Sequence, residues 1–426
     1  MQQNQIFENR AEIGLFCLFC IIILSINLSL KFYDFHQFKQ DRYLVLNAKV
    51  LQSYTKQNDK GKNYRVLKLK THKFSFYTTS KAEFEPEINA RILVRPAQKN
   101  VKFIEYLSEN FYMPNFGLLE LRESKNSQNS LQENLRDKFY EFIAGQHDES
   151  KAKELYAALF LATPISKELR DDVNHFGIAH LVAISGYHLG LIFGVMYFCL
   201  RPFYRYFQAR YFPYRSEKFD LSAVIFAILF SYLWLIDFVP SFLRAFLMSL
   251  LVFYLFSRNI RIISFEILAV IVALAVSFMP SLAFSVGFYF SCAGVFFIYL
   301  YLHHFKDKFS NLIHVLLLNL WVFFAMIIPV LYFFPLISFQ QFSLLPLSII
   351  FTVFYPVSAL LHVLNLGGVF DEFLVWFLSL RLPSVNLNIN FWIFLAYNIC
   401  ALISIKSRNL AIFVVVLNLF CFLVLL

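Results

Sequence analysis

Apolar residues in this 426-residue chain are gathered into runs, and that arrangement constrains the fold more than any single motif. One run covers Ile13 to Leu30, and the next begins at Ile178 and continues with brief interruptions to Leu426. A helix of about 20 apolar residues crosses the roughly 30 Å hydrocarbon core of a bilayer. The pattern therefore implies repeated membrane crossings. Only 15% of the residues are charged, against 58% hydrophobic, which is too little polarity to cover a soluble protein of this size.

Beyond the first run, candidate spans fall at 178–200, 219–236, 240–257, 263–279, 281–302, 312–334, 345–364, 390–405 and 409–426. Basic residues mark one side: Arg201, Arg205, Arg210, Arg215 and Lys218, then Arg258 and Arg261, then Lys306 and Lys308, then Lys406 and Arg408. The opposite loops, Val239-Pro240, Pro280-Ser281 and Phe334 to Gln341, are short or uncharged. Basic loops face the cytoplasm, which puts the N-terminus inside and residues 32–177 outside. The net charge of +10 follows from the same rule and adds little weight to a nucleic-acid partner. One stretch breaks the pattern: Gly367 to Asn390 carries Asp371, Glu372 and Arg381, and its apolar part is short, which fits a half-helix buried in protein.

No small-x-small cleavage pattern follows Leu30, and Lys31-Phe32-Tyr33 fits an interface anchor, so residues 1–31 read as an uncleaved anchor helix. Residues 32–120 change character. Tyr43 to Tyr54 alternates, Asn58-Asp59-Lys60-Gly61 supplies turn chemistry, and Tyr64 to Thr71 alternates again, with Leu67 and Leu69 opposite Val66, Lys68 and Lys70. Phe74 to Thr78 and Ala90 to Arg95 add two short strands. Several short strands in so few residues predict a small antiparallel β-barrel, of which the OB type is one. Residues 121–177 read as a polar linker followed by amphipathic helices, with Glu154 to Ala162 lying on the bundle or bilayer surface. All six cysteines sit in or beside apolar runs and none falls between Cys20 and Cys199, so this region holds no disulfide. Cys17 and Cys20 form a CxxC in spacing only, and neither a metal nor a cofactor is expected.

The most informative run is His175-Phe-Gly-Ile-Ala-His180-Leu-Val-Ala-Ile-Ser185-Gly186-Tyr-His188. Ionisable residues in membrane segments are costly and usually face an interior or a water-filled cavity. On an unbroken helix His180 and His188 diverge by about 80°, whereas a break at Ser185-Gly186 aims both toward one lumen. Polar bonding between neighbouring helices is the plainer use of such residues. A second constellation is Asp237-Phe-Val-Pro240-Ser-Phe-Leu-Arg244-Ala245, where Asp237 and Arg244 flank a turn at Pro240. They can form an ion pair that fixes the hairpin, or Arg244 can meet a phosphate. In Pro280 to Ser291, small residues at Ala283, Gly287 and Ser291 recur every four positions, as close helix packing requires. No GxxxxGK[ST], HEXXH or HxHxDH occurs.

The run His180 to His188 resembles the "HLLAISGLH" signature of ComEC-type competence proteins, the DNA-uptake channels of the inner membrane. Pro240-Ser241-x-x-Arg244-Ala245 followed by Met248 resembles that family's "P-x-x-x-RA-x-x-M" hairpin, and Pro280 to Ser291 its "GFxLS" segment, in the same order. Leu161 to Ile165 also fits, although Ala-Thr replaces the family's Gly-Asp. The resemblance implies a mainly α polytopic membrane protein: an anchor helix, an extracytoplasmic small OB-like β-barrel and, over 178–426, a polytopic competence bundle. Larger members add a C-terminal metallo-β-lactamase-like domain, which this sequence lacks, so strand degradation is expected to need a separate nuclease.

The implied function is translocation of single-stranded DNA across the inner (cytoplasmic) membrane during natural transformation. His180, Ser185, Gly186, His188, Asp237, Pro240 and Arg244 are the expected conduit and motif residues. Lys68, Lys70, Arg91 and Arg95 are the expected DNA contacts, with stacking on Tyr64, Phe76 or Tyr77. Expected partners are the lipid bilayer, an extracytoplasmic DNA receptor, a cytoplasmic motor or helicase and a further copy of the chain. A motor is reasonable because a negative cytoplasm opposes entry of an anion. Two alternatives stand beside this: an intramembrane serine hydrolase using Ser185 with His180 or His188, and a transporter of a small anionic solute.

Overall fold

In the computed structural model, residues 7, 9–40, 44–57, 63–71, 74–80, 89–94, 101–120, 131–258, 264–306, 308 and 310–425 are described, and most of these residues are helical. Arg95, Arg261 and the turn at Asn58–Gly61 lie outside these residues. The chain divides into two compact units, one of residues 7–129 with 269–288, the other of residues 1–6, 130–268 and 289–426.

The first unit opens with helix α1 (Arg10–Gln40), which continues past the expected boundary at Lys31 for more than two further turns. Five strands follow: β1 (Leu44–Gln57), β2 (Asn63–Lys70), β3 (Ser75–Ser80), β4 (Asn89–Val94) and β5 (Asn115–Glu120), with helix α2 (Phe103–Leu107) before the last. They form one antiparallel sheet in the order β3-β2-β1-β4-β5. Its outer strands approach each other where Tyr77 and Tyr112 form a parallel bridge, with Tyr77 N–H donating to Phe111 O and Met113 N–H to Tyr77 O, both at 2.8 Å. Alternation in β2 sends Leu67 and Leu69 inward to a core shared with Val50, Phe76, Ile92 and Met113. A register shift between Val50 and Gln52 keeps β1 in phase with both neighbours. Phe35 and Phe38, from the last turns of α1, are buried in that same core against Phe74, Tyr106 and Phe111. Burial, reinforced by Asp34 and Glu109, pushes the Tyr106 phenol up to about 12.

The second unit begins with α3 (Leu131–Ala144), α4 (Ser150–Leu161) and α5 (Lys167–His175). Next come α6 (Ala179–Val182), α7 (Gly186–Tyr211), α8 (Glu217–Leu235) and α9 (Pro240–Ser257). Helices α10 (Phe265–Phe278) and α11 (Val286–Phe305) each run from one unit into the other. The chain closes with α12 (Asn311–Phe333), strand β6 (Leu336–Ser338), α13 (Leu344–Val363), α14 (Asp371–Ser379), strand β7 (Ser384–Asn386), α15 (Phe391–Ile403) and α16 (Arg408–Leu417). Among the described residues, six helical segments are long and apolar enough to cross a membrane: α1, α8, α9, α11, α12 and Phe339–Val363. The apolar helices near 265–278, 391–406 and 408–422 are shorter.

Two local readings change, and the short helix expected after Gly367 is present. The run 178–200 is not one span: it breaks after Val182 and resumes as α7, which continues to Tyr211. Helix α4 is not a surface helix, since Ala152, Leu155, Tyr156, Ala157, Ala158, Leu159 and Leu161 are all buried. Its polar residues find protein partners in place of water: Lys151 pairs with Asp172 and Glu168, and Glu154 accepts from the Ser166 N–H. Helix α14 spans only nine residues, with Asp371 and Leu378 buried but Phe373 and Trp376 exposed. At about 1.5 Å per residue it is too short to cross a bilayer.

Candidate functional site

The break before α7 is built from the polar residues of the His180–His188 run. Ser185 is extended (φ −143°, ψ −177°) and caps α7, its hydroxyl accepting the Tyr187 N–H at 3.3 Å. His188 takes the place of the usual Glu in a capping box: its Nδ1 accepts the Ser185 N–H at 3.3 Å. A nitrogen that accepts carries no proton, so in the neutral ring the hydrogen sits on Nε2. That atom is buried and has no hydrogen-bond partner among the described residues. The His188 ring is itself fully buried, with Phe351 and Tyr355 of α13 edge-on at 5.4 and 5.0 Å. His180 is exposed on α6, so the break separates the two histidines into different environments.

The Pro240 hairpin seats directly on this break. Asp237 and Phe238 adopt left-handed conformations (φ 57° and 49°), turning the chain so that Pro240 opens α9. One turn on, the Ser241 hydroxyl donates to the Ile184 carbonyl at 2.6 Å, satisfying a backbone group that the break leaves without a helical partner. A side chain at Gly186 would meet Ala245 at 3.3 Å, so glycine permits the approach of α9 to the start of α7. Tyr187 anchors the same turn to α13, its hydroxyl 2.9 Å from the Ser348 carbonyl and 2.7 Å from the Thr352 hydroxyl. Ile184 and Gly186 thus meet Ser241 and Ala245, two motifs more than fifty residues apart. Asp237 is exposed at the hairpin tip and Arg244 is half-buried, within electrostatic reach of Cys292 on α11.

In the β-sheet unit, the register puts Lys68 opposite Gln52 and Tyr77, and Arg91 opposite Asn47. Lys68 and Lys70 alternate with the buried Leu67 and Leu69, and Arg91 precedes the buried Ile92, so the three cations share the outer face of the sheet. Tyr64 and Tyr77 lie on this face too, and the Lys68 ammonium rests 5.4 Å from the Tyr77 ring. Phe76 points the other way and is fully buried, so it cannot stack on a base.

Sequence reasoning missed a buried polar cluster joining the α3–α4 turn to the ends of α13 and α14. His147 Nδ1 lies 2.9 Å from both carboxylate oxygens of Asp371, and its Nε2 lies 3.0 Å from Nε2 of His362. The partners are 224 and 215 residues apart, so no local spacing announces them. The available signal was Asp371 itself, a carboxylate in an apolar stretch. A second missed cluster centres on buried Asp172, which pairs with Lys151 at 2.7 Å and with Arg381. Among the described residues, no group of three or more His, Cys, Asp or Glu is placed to hold a metal ion.

Membrane-length apolar helices around a polar, capped helix break define a multi-pass membrane protein. Residues 162–426 match the family model described as Competence protein. That is more than half of the sequence, and the chain belongs to the competence protein family, of the ComEC type, with a role in DNA uptake during competence. Neither the curated proteins nor the solved structures compared yield a match.

Proposed function

We propose that this chain is a channel that passes single-stranded DNA across the cytoplasmic membrane during natural transformation. The observation that carries this reading is the seating of the Pro240 hairpin on the Ser185–Gly186 break within the region that matches the competence family. A capped break inside a bundle is where irregular backbone can line a passage without exposing polar groups to lipid. His180 and Arg244 supply polar and cationic character there, while His188 holds the shape of the break.

In this proposal the N-terminus is cytoplasmic and the β-sheet unit stands outside the membrane as an OB-like domain. Its strand order, with β3 and the segment before β5 bridged in parallel, supports that assignment, although its helix lies between β4 and β5. The outer face carrying Lys68, Lys70, Arg91, Tyr64 and Tyr77 combines cations with exposed rings, the two elements of sequence-tolerant single-strand binding. A DNA receptor, a nuclease and a cytoplasmic motor or helicase complete the pathway as separate partners.

The test is transformation with free DNA in cells whose only copy carries His188→Ala at normal protein level. Lost transfer to the cytoplasm, with DNA still accumulating outside the membrane, is the expected result; normal transfer would show that the passage does not need the shape His188 gives the break, and normal transfer in a full deletion would end the channel reading.

One observation favours a serine hydrolase: the Ser185 hydroxyl is 3.3 Å from Nδ1 of His188. The same Nδ1 accepts the Ser185 N–H and the ring packs against Phe351 and Tyr355, which is the geometry of a cap. Labelling of the wild type, but not of Ser185→Ala, by a serine-reactive probe would reverse that judgement.

A further inference from the structure

The cluster at His147 holds a constraint on protons. His362 Nδ1 lies 2.7 Å from the Ser358 carbonyl oxygen, which can only accept, so that nitrogen carries a hydrogen. His147 Nδ1 lies 2.9 Å from both oxygens of Asp371. With the carboxylate ionised, that nitrogen also carries a hydrogen. Two neutral rings would then turn bare Nε2 lone pairs toward each other at 3.0 Å, a repulsive contact in a site closed to water. Moving the proton onto Asp371 changes its address but not the count, because a hydrogen must still lie between the rings.

Something positive therefore belongs between the two Nε2 atoms, and the distance identifies it. A separation of 3.0 Å falls inside hydrogen-bond range, which extends over about 2.7–3.2 Å. Two nitrogens on a tetrahedral zinc ion stand about 3.3 Å apart, given Zn–N bonds of about 2.0 Å. No third ligand converges here among the described residues. The rest of the surroundings are tight. Tyr156 of α4 stacks on His147 at 4.6 Å and meets His362 edge-on at 4.8 Å, with Phe160 beside it. Burial and the Asp371 charge push the Tyr156 phenol well above its usual range, so it remains protonated and supplies no proton. Gln146 clamps the same turn, donating to the His362 carbonyl at 3.1 Å and accepting the Gly367 N–H at 2.9 Å.

We infer that His147, His362 and Asp371 form a binding site for one proton, shared between the two imidazoles, that holds the α3–α4 turn against the junction of α13 and α14. With the proton bound the cluster is neutral overall, a carboxylate offsetting a single positive charge. When it leaves, the facing lone pairs repel and the turn loosens. The unfolded chain protonates both imidazoles below about pH 6.5, so the sign applies above it: there the folded cluster keeps a proton that the unfolded chain has lost, and stability falls as pH rises until the cluster releases it.

The experiment uses the full chain in lipid nanodiscs, with thermal stability followed between about pH 7 and 9, above the ordinary imidazole value of about 6.5. The wild type should lose stability as pH rises, with a slope of one linked proton. His362→Gln offers His147 an amide donor that does not titrate, and should flatten that slope by one proton. A wild-type profile without the step overturns the proposal. So does zinc that co-purifies near one per chain, or zinc alone stabilising the wild type but not His147→Gln, because the occupant would then be a metal. Should the variants fail to fold, an indicator dye counting proton release on unfolding of the wild type near neutral pH gives the same decision. Because no DNA is present, this result is independent of the channel reading.

Discussion

At Gly186 a β-carbon would stand 3.3 Å from that of Ala245, while at Gly190 and Gly194, one and two turns further along α7, it would meet nothing within 4 Å. Three glycines of one helix thus have different reasons to be there. Gly186→Val should force α7 and α9 apart and cost about 1–3 kcal/mol, as overpacking does. Gly190→Ala should raise stability by about 0.5–1 kcal/mol, since alanine restricts the unfolded chain and favours the helix. Melting temperatures of the two purified variants against wild type check both; equal shifts would show that the contact with Ala245 does not matter. The break at Ser185-Gly186 was legible in the sequence because a serine and a glycine stand in an otherwise apolar run. The His147 cluster was not, because its members meet only through tertiary packing.

Among the elements, the segment after α14 depends on charge for its position. Asp172, on α5 and 2% exposed, pairs with Lys151 of α4 and with Arg381, and the His175 ring bonds the Leu382 carbonyl at 2.9 Å. Asp172 and Glu168 raise the Lys151 pKa, so the pair persists through neutral pH and is lost only as pH climbs past the ordinary lysine range near about 10.4. Asp172→Asn leaves Arg381 without its carboxylate and Lys151 with Glu168 alone, but both cations reach water, so the expected cost is about 1–2 kcal/mol rather than that of a fully buried pair. Faster limited proteolysis between Leu380 and Asn390 would be the sign; an unchanged digestion pattern would show that packing alone fixes the segment. This stretch resisted sequence reading because its charges had no visible partners. Helix α4 was misread for a related reason: Lys151 and Glu154 look solvent-facing in sequence, yet each is consumed by a protein contact. The strands were legible because Leu67 and Leu69 alternate with Lys68 and Lys70, a period that no helix shares.

For the whole molecule, the apolar runs disclosed a multi-pass architecture, while the Tyr77–Tyr112 bridge and the packing of one motif on another came only from the fold. The outer face of the sheet makes its own prediction. If Lys68, Lys70 and Arg91 neutralise phosphates of a single strand, each contributes about 0.7 to the slope of log affinity against log salt. Full-length protein with all three changed to Gln should bind oligothymidine with a slope shallower by about 2. An unchanged slope would move DNA binding off this face. The way the face is mounted also matters. Helix α1 has 31 residues, about 46 Å at about 1.5 Å each, and so outruns a bilayer core of about 30 Å. Its surplus turns carry Phe35 and Phe38 into the β-sheet core, so rod and head share packed side chains. A load on the head would reach the lipid as torque, tilting the whole rod, where a slack tether would simply have stretched.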